Sequence, residues 1–93
     1  SNDRDLMKDL IGISLTQFPL QIQQLKEAVQ TKVPENIRKA AHAIKGSALN
    51  MSLNQMGDLA LTMEKAPLDL VDGYLEALEG EWKKVKVLLE EKA

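Results

Sequence analysis

Residues 34–51 read PENIRKAAHAIKGSALNM, and this stretch decides the fold class of the chain. Proline favours a first helical position because its missing N–H would be unpaired there, so a helix is predicted to begin near Pro34. At 100° per residue, five apolar side chains fall within about 40° of one direction and predict a narrow buried face. These side chains are Ile37, Ala41, Ile44, Ala48 and Met51.

The same helical spacing extends towards the N-terminus, from about residue 3 to residue 32. Apolar residues recur there at steps of three and four, as expected for one face of a long helix. Pro19 interrupts the series, and because proline removes a helical hydrogen bond we expect a kink near it. The predicted apolar face comprises Leu6, Leu10, Ile13, Ile22, Leu25 and Val29.

A short third helix is predicted after the central stretch. Ser52 and Asn54 offer a break and a helix cap, because short polar side chains can accept hydrogen bonds from the first N–H groups of a helix. The helix is predicted to end at Ala66-Pro67. Its apolar residues are Leu53, Met56, Leu59, Ala60 and Met63.

A long fourth helix is predicted from Leu68 onward. Gly73 and Gly80 weaken it, since each glycine costs roughly 1 kcal/mol against alanine in a helix interior, and we expect a frayed end. Its apolar stripe comprises Leu70, Val71, Leu75, Leu78, Trp82, Val85, Leu88 and Leu89.

The chain is therefore predicted to be an all-α, antiparallel four-helix bundle. Aromatic residues make up only 3% of it, and strand-like runs of β-branched or alternating residues are missing. Short polar links place successive helices side by side in opposite directions. A length of 93 residues allows one core, so residues 1–93 form a single domain. Because the chain starts at Ser1-Asn2 without a methionine, we expect residues 1–2 to be a remnant of cloning or excision.

Charge and composition exclude several classes of function. Lys+Arg number 12 against 14 Asp+Glu, a formal charge of −2 that lacks the basic excess of nucleic-acid-binding proteins. The absence of cysteine from the sequence removes disulfides, thiolate metal ligands and thiol nucleophiles. No apolar run approaches the roughly 20 residues of a membrane-spanning helix, so no direct membrane contact is expected. With no extra heptad seam evident, we expect a monomer.

The chemistry of the chain centres on its one histidine, His42. The ring lies about 140° from the centre of the apolar stripe on a helical wheel and is predicted to face solvent. A single histidine argues against a metal site, which in helical bundles combines several His and carboxylate ligands. No carboxylate or hydroxyl partner is evident for a hydrolytic site, since Ser47 points about 140° away around the helix.

The outer face around His42 carries an unusual set of neighbours. Gly46 costs about 1 kcal/mol in mid-helix, and either the approach of another molecule or packing within the chain would explain it. Lys45 is either an ordinary surface lysine or a cation that neutralises an oxyanion such as phosphate. Leu49 is either a docking contact or an incidental exposed apolar residue. The full set is Arg38, Lys39, Lys45, Gly46 and Leu49.

These residues favour phosphoryl transfer with the imidazole as nucleophile. A neutral imidazole nitrogen attacks phosphorus and leaves again readily, so a phosphohistidine is a labile carrier. Transfer needs in-line access and charge neutralisation, which Gly46 and Lys45 supply. Glycine-rich nucleotide loops and the pattern of a magnesium-aspartate site are missing. We therefore expect no cofactor in this domain and a partner that brings both magnesium and the acceptor.

Residues 41–48, AHAIKGSA, closely resemble the signature of histidine-containing phosphotransfer (HPt) domains, the relay modules of bacterial multistep phosphorelays. The likeness spans almost the whole chain. The long first helix and residues 36–41 resemble the segment that precedes the signature in the family, and residues 50–51 and 59–64 resemble the segment that follows it. A four-helix bundle is the fold that this resemblance implies. Ser52 departs from the pattern, because the family often has glycine there.

The resemblance implies that His42 is phosphorylated, that Lys45 and Gly46 shape its surroundings, and that Ser47 assists local packing or capping. It further implies receiver-domain aspartates on each side of the relay and no autokinase activity. Members often stand in the cytoplasm at the C-terminus of an inner-membrane hybrid sensor histidine kinase, and a free-standing relay protein is the other possibility. Partner-binding residues are expected around the site, at Arg38, Lys39, Leu49 and Gln55.

The leading hypothesis is that His42 accepts a phosphoryl group from a receiver-domain aspartate and passes it to a response-regulator aspartate. The alternative is a non-catalytic helical bundle that docks receiver domains, although such an adaptor has no physical need for His42, Lys45 and Gly46 together. A helical metal enzyme or hydrolase ranks lowest, because one histidine, no cysteine and no converging nucleophile leave little to work with.

Overall fold

The computed structural model describes residues 3–92, and the side chains of residues 5–92. Four α-helices fill this range, with one 3-10 turn at Leu68–Leu70 before the last of them. No strand occurs among these residues, which confirms the all-α prediction. Residues 1–2, the expected remnant, lie outside the described part. The helices are α1 (Asp3–Thr31), α2 (Pro34–Asn50), α3 (Asn54–Lys65) and α4 (Val71–Lys92).

The helices pack as a bundle that measures 47 × 20 × 19 Å. Each helix contacts its neighbour in the chain, and α1 also contacts α4, so the four helices surround one core. The rings of Phe18 and Trp82 join α1 to α4 with centroids 5.2 Å apart. The most deeply buried large side chains are Ile11, Phe18, Leu25, Ile44, Met56, Met63 and Leu78.

The N-terminal half of α1 buries a different face from the one predicted. Leu6, Leu10 and Ile13 are exposed, whereas Ile11 is 1% exposed and lies in the core with Phe18. Ile13 and Ile22 are nine residues apart, which at 100° per residue is half a turn out of phase, so they cannot share one face. The helix is continuous through Pro19, and the kink expected there stays a prediction.

The turn between α2 and α3 is closed by main-chain hydrogen bonds. Ser52 N–H donates to Leu49 O (3.0 Å) and Leu53 N–H donates to Ala48 O (2.8 Å), the pattern of a Schellman motif. Ser52 takes φ of 59°, the left-handed conformation that such a motif requires. Leu53, with no side-chain cap, occupies the N-cap of α3, so the predicted polar cap at Ser52 or Asn54 is wrong. The N–H groups of Ser52 and Leu53 instead donate to the last carbonyls of α2.

The stripe predicted for the fourth helix is right in its middle and wrong at its margins. Leu70 belongs to the 3-10 turn and is exposed, and Leu88 is exposed while Leu89 is buried. Adjacent helical residues point about 100° apart, and in α4 Leu89 is directed to the core while Leu88 is directed outward. The remaining predicted residues are buried: Val71, Leu75, Leu78, Trp82, Val85 and Leu89.

Candidate functional site

His42 lies on the outer surface of α2, with its side chain 69% exposed. The neighbouring positions Ala41 and Ile44 are completely buried, and together they fix the rotation of the helix about its axis. The ring is thereby directed away from the core, which confirms the exposure predicted from the helical wheel. An imidazole in this position is open to a macromolecular partner.

A carboxylate from α3 meets the histidine ring. His42 Nδ1 lies 2.9 Å from Glu64 Oε1, a hydrogen bond between residues 22 positions apart in sequence. The Glu64 side chain is only 13% exposed, because it lies between the two helices. The expectation that no carboxylate partners His42 is therefore wrong. That expectation considered only neighbours within one helix, whereas α3 supplies the partner.

Lys45 contacts the same oxygen of Glu64. Its Nζ lies 3.2 Å from Oε1, and its side chain is 22% exposed. Lys45 is thus mostly covered and paired with a carboxylate, and its role as a cation for an oxyanion stays a prediction. Because His42 Nδ1 and Lys45 Nζ both approach one carboxylate oxygen, a cation stands beside the ring and is oriented by a neighbour.

The second ring nitrogen, Nε2, makes no hydrogen bond to any residue between 5 and 92. The ring therefore has one nitrogen held by the protein and one directed to solvent. A nucleophilic imidazole needs this arrangement, because the lone pair of one nitrogen must be accessible while a hydrogen bond to the other nitrogen holds the ring in place.

Gly46 lies one turn after His42 and is exposed. A methyl group built on Gly46 would find nothing within 4 Å, so packing inside the described chain does not require glycine there. Gly12, Gly73 and Gly80 face open space in the same way, and openness alone does not distinguish Gly46. What distinguishes Gly46 is its position one turn after His42, and its role in giving another molecule access to the ring stays a prediction.

Ser47 is directed towards α1 and does not approach His42. Gln21 Nε2 donates to Ser47 Oγ at 3.0 Å, a contact that joins α1 to α2. Ser47 and His42 therefore form no serine-histidine pair, as the helical wheel predicts. The role of Ser47 is in helix packing.

The sequence matches the family model of the Hpt domain over residues 9–88. The chain belongs to the Hpt domain family. The matched range starts within α1 and ends within α4, so it includes most of these two helices, all of α2 and α3, and the contact between His42 and Glu64. Hpt domains are phosphocarriers of two-component phosphorelays and interact with receiver domains. Comparison with curated proteins and with solved structures found no significant match.

The four residues expected to bind a partner are all exposed on α2 or α3 of the Hpt domain. Arg38 and Lys39 are exposed on α2, where Lys39 Nζ lies 3.7 Å from Glu35. Leu49 is half exposed and covers Gly57 of α3. The Gln55 amide lies against Glu81 of α4, and in the amide orientation that satisfies both groups its nitrogen donates to Oε2 at 3.0 Å.

The described residues of the Hpt domain contain neither a metal-binding cluster nor a membrane-spanning helix. Within them, no group of three or more His, Cys, Asp or Glu side chains is arranged to hold a metal ion. None of the helices between residues 3 and 92 combines the length and the apolar character needed to span a membrane.

Proposed function

We propose that this Hpt domain carries phosphoryl groups between receiver domains through His42. The observation that carries the proposal is the ring's geometry: Nδ1 is held by Glu64 at 2.9 Å while the exposed side chain leaves Nε2 open to a partner. The alternative, a docking module without covalent chemistry, gives no reason for a nucleophilic nitrogen to be oriented in this way.

In the incoming step, the Nε2 lone pair of His42 attacks the phosphorus of an aspartyl phosphate in line with the bond that breaks. The N–P bond forms, the P–O bond to the aspartate breaks, and its electron pair returns to the carboxylate. The outgoing step reverses these events on a second receiver, whose aspartate becomes the nucleophile. The response-regulator aspartate is the final acceptor.

Lys45 and Gly46 serve this transfer without reacting. The ammonium of Lys45 stabilises negative charge on the equatorial phosphoryl oxygens, an effect that is strong where water is partly excluded. Gly46 leaves room for the receiver surface beside the ring. Magnesium is supplied by the receiver, and the Hpt domain itself provides no cofactor and no autokinase activity.

We also infer the arrangement around the site: one antiparallel bundle that forms a single domain over residues 1–93 and acts as a monomer. Cross-helix pairs support the opposite directions of neighbouring helices. Leu49 contacts Gly57 while His42 contacts Glu64, so positions later in α2 meet positions earlier in α3. On α1 and α4, Lys26 Nζ lies 3.5 Å from Glu79, and Phe18 meets Trp82.

The receiver is proposed to cover the surface around His42, with contacts to Arg38, Lys39, Leu49 and Gln55. All four are exposed, and they lie on the two helices that carry the site. We place the domain in the cytoplasm of a bacterium, either as a free-standing relay protein or as the C-terminal part of an inner-membrane sensor histidine kinase.

Phosphate transfer from a panel of phosphorylated receiver domains tests the proposal. The wild-type chain is expected to take up an acid-labile, alkali-stable label, and His42→Gln is expected to take up none while its melting temperature is retained. Glu76→Gln, an exposed change on α4, is the matched control and should label like the wild type. Label on His42→Gln would show that the site is assigned wrongly. Receiver binding without label on the wild type would favour the docking module.

A further inference from the structure

We infer that the outer face of α1 binds a second copy of this chain, with the two α1 helices antiparallel and Ile13 on the two-fold axis. The face comprises Leu6, Ile13 and Leu20, each more than half exposed, with the exposed Leu10 and Gln17 beside them. The inference goes beyond the proposed phosphocarrier function and involves no phosphoryl transfer. The pair is weak, so the monomer proposed above is the form that meets a receiver.

Three apolar side chains form a nearly straight line along the exposed side of α1. Leu6, Ile13 and Leu20 follow one another at intervals of seven residues, which turns each by only about 20° from the last. The line is about 21 Å long at 1.5 Å per residue. Two helices that pack along a shared seam have this seven-residue spacing. The sequence alone does not predict the seam, because it predicts Leu6 and Ile13 in the core, whereas the structure exposes both.

The same face lacks charge. Residues 10–25 contain no Asp, Glu, Lys, Arg or His, although 28% of the chain is charged. The other three helices carry exposed charged side chains, among them Arg38, Asp58 and Lys83. Charged residues are depleted at the centre of protein interfaces, where they lose water without gaining a partner. An uncharged strip with exposed apolar side chains is therefore typical of a surface that another protein covers, and a second copy supplies a matching uncharged strip.

The pattern is self-complementary about Ile13. In an antiparallel pair centred on that residue, Ile13 meets its own counterpart and Leu6 meets Leu20 of the second copy, since both lie seven positions from the axis. Asp9 is then level with Gln17 of the second copy. A parallel pair would instead bring the two Asp9 carboxylates to the same level of the seam, and like charges in an interface are unfavourable. The charges bordering the face therefore favour the antiparallel pair.

A shallow groove beside Ile13 gives the second copy room. A methyl group built on Gly12 would find nothing within 4 Å, so no contact within the described chain requires glycine there. Thr16 Oγ1 donates to Gly12 O at 3.1 Å, which turns the hydroxyl back onto its own helix. The groove bordered by Gly12, Ile13, Thr16 and Gln17 can therefore receive Ile13 of the second copy.

The seam is short, which limits the affinity. Its three apolar layers cover less than the roughly 800 Å² on each partner that a stable complex buries. We therefore expect a dissociation constant on the order of 0.1 mM. Below that concentration the monomer predominates.

Sedimentation velocity of the full chain over a concentration series measures the pairing. The mass of the wild type is expected to rise from one chain at about 10 µM towards two chains at about 1 mM. Ile13→Lys is expected to weaken the pairing about tenfold or more, because its charge would lie in the middle of the seam. Val87→Lys, on α4 and as exposed as Ile13, is the matched control and should pair like the wild type. A wild type that stays monomeric throughout the series overturns the inference, and if Ile13→Lys then lost receiver binding, the face would belong to the receiver.

Cross-linking tests the antiparallel direction. Since the sequence contains no cysteine, a single introduced cysteine can form a disulfide only with its counterpart in the second copy. Ile13→Cys lies on the axis and is expected to cross-link readily, because a disulfide spans Cα atoms about 4.4–6.8 Å apart. Leu6→Cys would lie about 21 Å along the seam from its counterpart and is expected to remain reduced. Equal cross-linking of the two variants would contradict the antiparallel pair.

Discussion

Leu49 of α2 lies directly over Gly57 of α3: a methyl group built on Gly57 would stand 2.8 Å from Leu49 Cδ2. Gly57 is buried, and its lack of a side chain leaves room for the Leu49 side chain where the chain leaves the α2–α3 turn. This contact pairs the end of α2 with the start of α3. Further from the turn, the same pairing places Glu64 beside His42.

Gly57→Ala is expected to stabilise the domain less than Gly80→Ala does. Gly80 lies inside α4 with nothing within 4 Å of an added methyl group, so Gly80→Ala gains the full helix propensity of about 1 kcal/mol. At Gly57 part of that gain is lost in moving the Leu49 side chain, which is half exposed and can turn outward. Urea unfolding of both variants measures the difference. An equal gain would show that Leu49 does not rest on Gly57.

Ser52→Gly is expected to stabilise the domain by about 1 kcal/mol, because Ser52 holds φ of 59° and the left-handed conformation costs an L-residue roughly 1–2 kcal/mol. The HPt resemblance places glycine at this position, and the Schellman turn supplies the physical reason. For a chain of this size the change corresponds to a rise of about 4–8 °C in melting temperature. Ser47→Gly, inside α2, is the control and should destabilise. A fall in melting temperature for Ser52→Gly would contradict the assigned turn.

Ile11→Ala and Ile13→Ala are expected to differ strongly although the two residues are two positions apart. Ile11 is 1% exposed and Ile13 is 55% exposed. Truncation of the buried isoleucine should cost about 2–5 kcal/mol, and truncation of the exposed one less than about 0.5 kcal/mol. Chemical unfolding measures both values. Equal costs would mean that α1 is rotated from the position described above.

Gly46→Gln is expected to separate stability from transfer. The helix should gain stability, because glycine is a poor helix former and an added side chain meets nothing within 4 Å. Phosphoryl transfer from a receiver should slow, because the new side chain occupies the space beside His42. Gly80→Gln makes the same change far from the site in sequence and should leave the transfer rate unaltered. Unchanged transfer for Gly46→Gln would remove the steric role of Gly46.

Sequence periodicity predicts the helices of this chain well and their orientation less well. The bounds of α2 follow from Pro34 and from the apolar series that ends near Met51, because these signals act within one or two turns. The prediction of the buried face fails at Leu6, Leu10 and Ile13, which are exposed. Helical spacing identifies an apolar face, but a chain with two such faces needs the neighbouring helices to decide which one is covered.

In the candidate site, too, the sequence predicts some features and misses others. The exposure of His42 follows from α2 alone, since its angle to the apolar stripe is a property of one helix. Glu64 does not follow from any local pattern, because an acidic residue after an apolar series is common on a helix surface. Folding α3 back on α2 at the turn around Ser52 brings residues at equal distances from the turn together. Among them are His42 and Glu64, so this antiparallel pairing was the signal that could have identified Glu64.

Local sequence thus suffices for the all-α class, the positions of the helices and the exposed imidazole, because each depends on residues within a few positions of one another. Three features depend instead on how segments far apart in the chain pack. They are the hydrogen bond of His42 Nδ1 to Glu64, the ion pair of Lys45 with the same carboxylate, and the choice of the buried face of α1. Those contacts form only when the packing of the core brings the helices into one register.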